Sequence, residues 1–340
     1  MIVSLVSMPE GITTRADLTQ ARERLAESDF LLVDIQLPEE EPADEGIGPE
    51  EAIAEDPRIA QQLGVGAYNL PWFGRAGEAA RADFLGDAAG FVVPVVEDSR
   101  VTHVHVLVTE RFVITVHWGQ IAMLGTFAAR LVPERPPDPV AAMFLLLQEA
   151  LETFRRAALA CLLAVEDLED EMFERRRPEQ VYNLARLRRR SALLHHSLLP
   201  YLQATDELVT RRMMSRNFPE ERQRLAREFQ NASRLVLADI ESLQDASRRA
   251  LSSYSSLVSG EQNNVINRLA IVSTIFLPLS FLTGYFGMNF TYLTDELESK
   301  IVFWMLAVGL QVAVLVAALY VLHRMHLWRK LRDDEGTDDR

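Results

Sequence analysis

A single cysteine, Cys161, is all the thiol chemistry available in 340 residues. No intramolecular disulfide can form, and no cysteine cluster can hold zinc. Positive charge is also scarce. Lys and Arg number 35 against 49 Asp and Glu, for a formal net charge of −14. Nucleic-acid binding requires clustered positive charge, so it is not expected. No Gly-x4-Gly-Lys-Ser/Thr loop occurs, which argues against drive by a nucleoside triphosphate. Residues 1–131 carry no nucleophile motif, metal-ligand cluster or glycine-rich phosphate loop. Neither an enzymatic centre nor an organic cofactor is therefore expected. Met1–Met8 is too short and lacks the basic start of a cleavable signal peptide.

Apolar residues are plentiful but unevenly placed. Residues 1–268 read as charge-rich soluble protein, and the last 72 hold two uncharged apolar runs. These are Leu269–Phe286, of 18 residues, and Ile301–Leu322, of 22. A helix crosses a hydrocarbon core of about 30 Å in roughly 20 residues, so both are candidate membrane spans. Arg248, Arg249 and Arg268 precede the first; Arg324, Arg329, Lys330 and Arg332 follow the second. The connecting loop holds Asp295, Glu296 and Glu298 with only Lys300. Positive flanks stay cytoplasmic. Both termini are expected inside, in a multi-pass protein of the cytoplasmic membrane.

The rest divides by pattern. Residues 1–132 read as a cytoplasmic α/β domain. Phe30–Ile35 suits a buried strand. Val101–Val108 and Phe112–Trp118 are β-branched runs joined by Thr109-Glu110-Arg111, a hairpin signature. His103 and His105 alternate on one strand face, but no third ligand accompanies them, so a metal site is not expected there. Asp34–Asp56 contains ten carboxylates and no Lys or Arg. It reads as a solvated loop or, more sharply, as a cation-attracting surface. Pro133–Pro139 marks a boundary. Apolar residues near 144, 147, 151, 154, 158, 162, 165 and 168 then recur at helical spacing. The reading over 139–216 is a helical hairpin, broken at Arg176-Arg177-Pro178. A stalk helix follows over 219–268, with no proline until Pro278. It runs into the first span, 269–286. The external loop is 287–300, the second span 301–322, and a basic and acidic tail 323–340.

Tyr285-Phe286-Gly287-Met288-Asn289-Phe290 sits where the first span ends. A glycine exposes its carbonyl there and an asparagine offers a neutral side-chain oxygen. Both suit the water shell of a hard cation, so the segment reads as the mouth of a membrane cation pathway. Asn263, Ile266, Ala270, Ser273, Leu277, Ser280, Gly284 and Gly287 recur at three- and four-residue intervals. This stripe of small or weakly polar residues suits a pore lining and equally suits close helix packing. It carries no carboxylate, and magnesium dehydrates reluctantly. The expectation is passage of a hydrated ion. Ile266, Leu269 and Leu277 are apolar constrictions able to close by dewetting. Two helices cannot enclose an aqueous path, so several chains must assemble.

Gly-Met-Asn between two C-terminal spans resembles the CorA family of magnesium channels. The likeness continues upstream through Thr274-Ile275-Phe276-Leu277-Pro278-Leu279-Ser280-Phe281-Leu282-Thr283-Gly284. It covers roughly residues 140–325 strongly and the first 130 loosely. Thr115-Val116-His117 fills the place of a strand end common in the family, and Glu166–Glu171 that of its acidic stretch on the hairpin.

The resemblance implies an α+β cytoplasmic domain, a long helical stalk and two C-terminal transmembrane helices in a funnel-shaped homopentamer. It implies a selectivity ring at Gly287, Met288 and Asn289, and a hydrophobic gate at Ile266, Leu269 and Leu277. Cargo would be Mg2+, with Co2+ or Ni2+ as further divalent cations. Mg2+ would also inhibit from inside, held between protomers by Glu228 and Asp98. The family often carries Met-Pro-Glu-Leu in the external loop. Here it reads Leu293-Thr294-Asp295-Glu296-Leu297, keeping the glutamate without Met-Pro. The alternative is a related zinc transporter of the ZntB type, coupled to protons.

Overall fold

The computed structural model describes residues 1–8, 10–38, 58–68, 70–73, 75, 77–86, 88–98, 100–213, 218–288, 301 and 304–324. The chain divides into two compact units, Met1–Leu251 and Ser252–Arg340.

In the first unit, β1 (Ile2–Ser7) and β2 (Ile12–Ala16) form a hairpin, followed by α1 (Leu18–Glu27) and β3 (Leu31–Leu37). Helix α1 starts at a capping box. The Asp17 side chain accepts from the Gln20 N–H at 2.8 Å, and Gln20 Oε1 accepts from the Asp17 N–H at 3.1 Å. A short α2 (Arg58–Gln62) precedes β4 (Arg81–Leu85), β5 (Ala88–Glu97), β6 (Arg100–Val108) and β7 (Phe112–Trp118). Among the described residues the strands form one seven-stranded sheet in the order β2-β1-β3-β7-β6-β5-β4. Only the β3–β7 pair is parallel among these neighbours. It sets Asp34 beside Thr115 and Gln36 beside His117. The expected hairpin turn is present. The Thr109 hydroxyl accepts from the Arg111 and Phe112 N–H groups, each at 3.1 Å.

Strand β5 holds two residues that normally argue against a central strand, Gly90 and Pro94. A Cβ on Gly90 would lie 2.7 Å from Leu70 Cδ1 and 3.0 Å from Trp72 Cζ2, so any larger residue would have to displace them. Pro94 lacks an N–H, but pairing of β4 with β5 ends at Val92. Two residues on, the Val96 N–H points away from β6 and donates to Thr153 Oγ1 at 3.0 Å. The strand period of two puts the Pro94 nitrogen on that same side, beyond the end of β4, so no ladder bond is lost.

Helix α3 (Ala122–Glu134) follows and contains Pro133, so the proline-rich segment begins inside a helix. Helix α4 (Pro139–Glu174) starts on an Asp138 cap, whose carboxylate accepts from the Ala141 N–H at 2.8 Å, with Pro139 in its first turn. Residues Pro139–Leu147 are buried on every side. The periodicity expected from sequence shows one apolar stripe. Helix α4 packs against the sheet, α3 and α5 (Pro178–Met213) together. A helix covered all round is apolar all round. The hairpin partner α5 is tied to α4 by buried Tyr201, whose hydroxyl donates to the Leu147 carbonyl at 2.8 Å.

Helix α6 (Glu220–Phe286) has 67 residues and belongs to both units. At 1.5 Å per residue it is about 100 Å long. Its first turn is fixed within the first unit by Arg222. That guanidinium pairs with Glu110 of the β6–β7 turn and, through Nε at 2.9 Å, with Asp138. Burial opposes its charge, but the hydrogen bonds it donates to Glu110 and Asp138 outweigh this and raise its pKa. In the second unit, a π-helical segment, Trp304–Gly309, precedes α7 (Leu310–Arg324).

Candidate functional site

Among the described residues one helix, α6, is long and apolar enough to cross a membrane; Leu310–Val321 of α7 is a shorter apolar stretch. The expected second span falls on Ile301, the π-helical segment and α7, with residues 302 and 303 outside the described residues. Little of the apolar end of α6 is covered within the chain. Ile266, Leu269 and Leu277 are 61%, 66% and 74% exposed. Asn263, Ser273, Ser280 and Gly284 are exposed as well. At about 100° per residue, positions 266, 269, 270, 273, 277, 280, 284 and 287 fall within an arc of about 100°, with Asn263 at its edge. One helix face therefore carries the residues expected to line a pore.

The helix runs through Pro278, which cannot donate to the Thr274 carbonyl. Hydroxyls bond the backbone on either side: Thr274 Oγ1 donates to Ala270 O at 2.7 Å and Thr283 Oγ1 to Leu279 O at 2.8 Å. Gln311 of α7 donates to Thr283 Oγ1 at 3.2 Å and joins the two helices of this unit. At the helix end, the Gly287 N–H donates to Thr283 O at 3.0 Å and the Met288 N–H to Tyr285 O at 3.3 Å. A Cβ on Gly287 would stand 3.2 Å from Thr283 O and 3.6 Å from Gly284 O. A side chain at this position would press on the last carbonyl oxygens of the helix. Asn289 and the acidic Asp295, Glu296 and Glu298 lie outside the described residues, as do Arg329, Lys330 and Arg332.

The two expected inhibitory carboxylates lie on different elements, Glu228 on α6 and Asp98 in the β5–β6 turn. Glu228 is paired on α6 with Arg224, which also pairs with Glu221. Asp98 sits in the β5–β6 turn at φ 41°, a left-handed conformation that Asp tolerates. It lines a cleft of about 330 Å³ with Glu97, Arg156 and Arg190. Its neighbour Glu97, in the same turn, accepts from the Ala122 N–H at 2.9 Å and so caps α3. No hydrogen bond or ion pair links Asp98 to Glu228 among the described residues.

His105 is fully buried among the rings of Trp72, Phe73 and Trp118, at centroid distances of 5.6, 6.4 and 5.2 Å. Burial, with a smaller contribution from His103, lowers its pKa to about 4. Its ring belongs to an aromatic cluster. Among the described residues no group of three or more His, Cys, Asp or Glu side chains is placed to hold a metal.

The chain thus combines a sheet domain and a helical hairpin with a very long helix that ends in an uncovered apolar segment and a Gly-Met turn. The chain belongs to the CorA-like Mg2+ transporter protein family, whose profile matches residues 50–324. It is 30% identical over 159 residues to the cobalt/magnesium transport protein CorA of Thermotoga maritima, covering 47% of this chain and 44% of that protein. The chain thus spans less than half the length of that relative. With the cobalt/magnesium transport protein CorA of Methanocaldococcus jannaschii it shares 23% over 239 residues, 67% of this chain and 72% of that one. The complete structure of the CorA magnesium transporter from Methanocaldococcus jannaschii superposes with a TM-score of 0.71 at 18% identity, covering 95% of this chain and 97% of that chain. The full-length CmaX protein gives 0.66 at 17%, covering 96% and 97%. At these identities the structural likeness is one of fold.

Proposed function

We propose that the chain forms a homopentameric channel in the cytoplasmic membrane that passes hydrated Mg2+, with Co2+ and Ni2+ as further cargo, down the electrochemical gradient. The observation that carries this reading is the uncovered apolar end of α6, whose single face bears Ile266, Leu269, Ser273, Leu277, Ser280 and Gly284 and ends at Gly287-Met288. Apolar surface of this extent needs lipid or other copies of the chain against it. Around a fivefold axis the face becomes a pore without fixed charge. Hydroxyls and carbonyls then touch the ion's water shell, and the shell itself is kept. Rings of Ile266, Leu269 and Leu277 close the path by excluding water. Gly287, Met288 and Asn289 form the selectivity ring, and Asp295, Glu296 and Glu298 concentrate cations before it. Both termini face the cytoplasm.

Inhibition follows if intracellular Mg2+ bridges Asp98 of one protomer to Glu228 of the next in the closed state alone. Arg224 already holds Glu228 within the chain, so the arginine and the metal compete. The test of the filter is Asn289→Ala, reconstituted in liposomes after its oligomer mass is shown to be unchanged. Mg2+ uptake is expected to vanish. Uptake at the wild-type rate refutes the assignment.

A further inference from the structure

Asp34 and Gln36 of β3 and Thr115 and His117 of β7 share one face of the sheet, in adjacent parallel strands. With Gln120 and Leu124 they line a cleft of about 200 Å³ beneath α3. His117 is only 3% exposed, yet among the described residues neither of its ring nitrogens has a hydrogen-bond partner. Buried polar atoms are rarely left so. Its Nε2 lies 3.4 Å from Asp34 Oδ1. The Asp34 carboxylate is itself oriented by the hydroxyl of buried Thr115, which donates to it.

We infer that Asp34 and His117 bind a transition-metal divalent cation of the cobalt, nickel and zinc class, at a site that magnesium does not fill. A separation of 3.4 Å matches the edge of a tetrahedron whose metal–ligand bonds are about 2.0–2.1 Å. A carboxylate oxygen has lone pairs enough to accept the Thr115 hydroxyl and to ligate as well. Hydrogen bonds that orient a ligating carboxylate in this way are a regular part of metal sites. The cleft has room for waters to complete the coordination. Gln36 and Gln120 offer amide oxygens along its wall. Selectivity comes from the imidazole. Nitrogen ligands favour cobalt, nickel and zinc, whereas magnesium takes oxygen and keeps its water. The chain would thereby distinguish two kinds of divalent cation by ligand chemistry, at a place its transport path does not require.

The test is a Co2+ titration of the detergent-purified full chain with Mg2+ in large excess, read by the visible bands of Co2+ and by pulsed electron paramagnetic resonance of ligand nitrogen. One nitrogen-ligated Co2+ per chain is expected. His117→Gln should remove the nitrogen coupling, and Asp34→Asn should raise the Co2+ needed for half-saturation by at least tenfold. Thr115→Val, which keeps both ligands, should weaken binding about tenfold. Displacement by Mg2+, purely oxygen ligation in the wild type, or nitrogen coupling that survives His117→Gln would overturn the inference. The wild-type spectrum decides even if a variant fails to fold. Binding is read without transport, so a negative result here leaves the channel reading standing.

Discussion

Arg222→Met is the perturbation whose size follows most directly from the structure. The Arg222 side chain is 10% exposed and holds three parts of the first unit together: the β6–β7 turn through Glu110, the start of α4 through Asp138, and the first turn of α6. Methionine keeps most of the stem's packing and removes the charge, leaving two carboxylates without it. Breaking a buried ion pair costs about 3–5 kcal/mol. The Glu110 side chain is 47% exposed and rehydrates, which trims the expected loss to about 2–3 kcal/mol. For a unit of this size each kcal/mol moves the melting temperature by roughly 2–4 °C, so the midpoint should fall by roughly 4–12 °C. The effect is local, so amide hydrogen exchange is the better assay. Residues 220–229 should exchange faster in Arg222→Met, while β5 and β6 change little. In a double-mutant cycle, Glu110→Gln should cost much less in the Arg222→Met background than in the wild type. Unchanged exchange over 220–229 together with additive effects would show that Arg222 does not anchor the long helix.

Three further outcomes are expected. His105 has a pKa of about 4 in the folded chain against about 6.5 when unfolded, so between these values the unfolded chain takes up a proton that the folded one refuses. Stability should therefore fall as pH drops from about 6.5 to about 4, by about 3 kcal/mol from this group. His105→Leu should flatten that part of the profile, and parallel profiles would disprove the assignment. Glu228→Ala should raise the Mg2+ concentration that inhibits flux, whereas Arg224→Gln, which frees Glu228 from its internal partner, should lower it a few-fold. Equal inhibition in both variants would remove Glu228 from the regulatory site.

The sequence was most legible where one local signal dominates. Thr109-Glu110-Arg111 between two β-branched runs pointed to a hairpin, and the absence of proline from Glu220 to Leu277 pointed to the long helix. Strand β5 contains Gly90 and Pro94, which by themselves argue against a central strand. What makes them acceptable is tertiary: the Trp72 ring against Gly90, and the end of β4 beside Pro94. Helical spacing over α4 points to an apolar face, and periodicity cannot show that its early turns are buried all round. Glu110, Asp138 and Arg222 are far apart in the chain, and only the fold brings them together. The same holds for Asp34 and His117, which the parallel β3–β7 register makes neighbours. The candidate pore face was legible because it lies on one helix, where spacing alone fixes which residues share a side.

The central claim is that this chain conducts magnesium passively. Its most direct test is ion flux into liposomes containing the purified full chain, with Mg2+ or Zn2+ outside and with or without a pH gradient. The account predicts Mg2+ entry that follows the ion's own gradient and the membrane potential and is indifferent to the pH gradient. Absence of Mg2+ entry, or Zn2+ entry driven by the pH gradient, would contradict it.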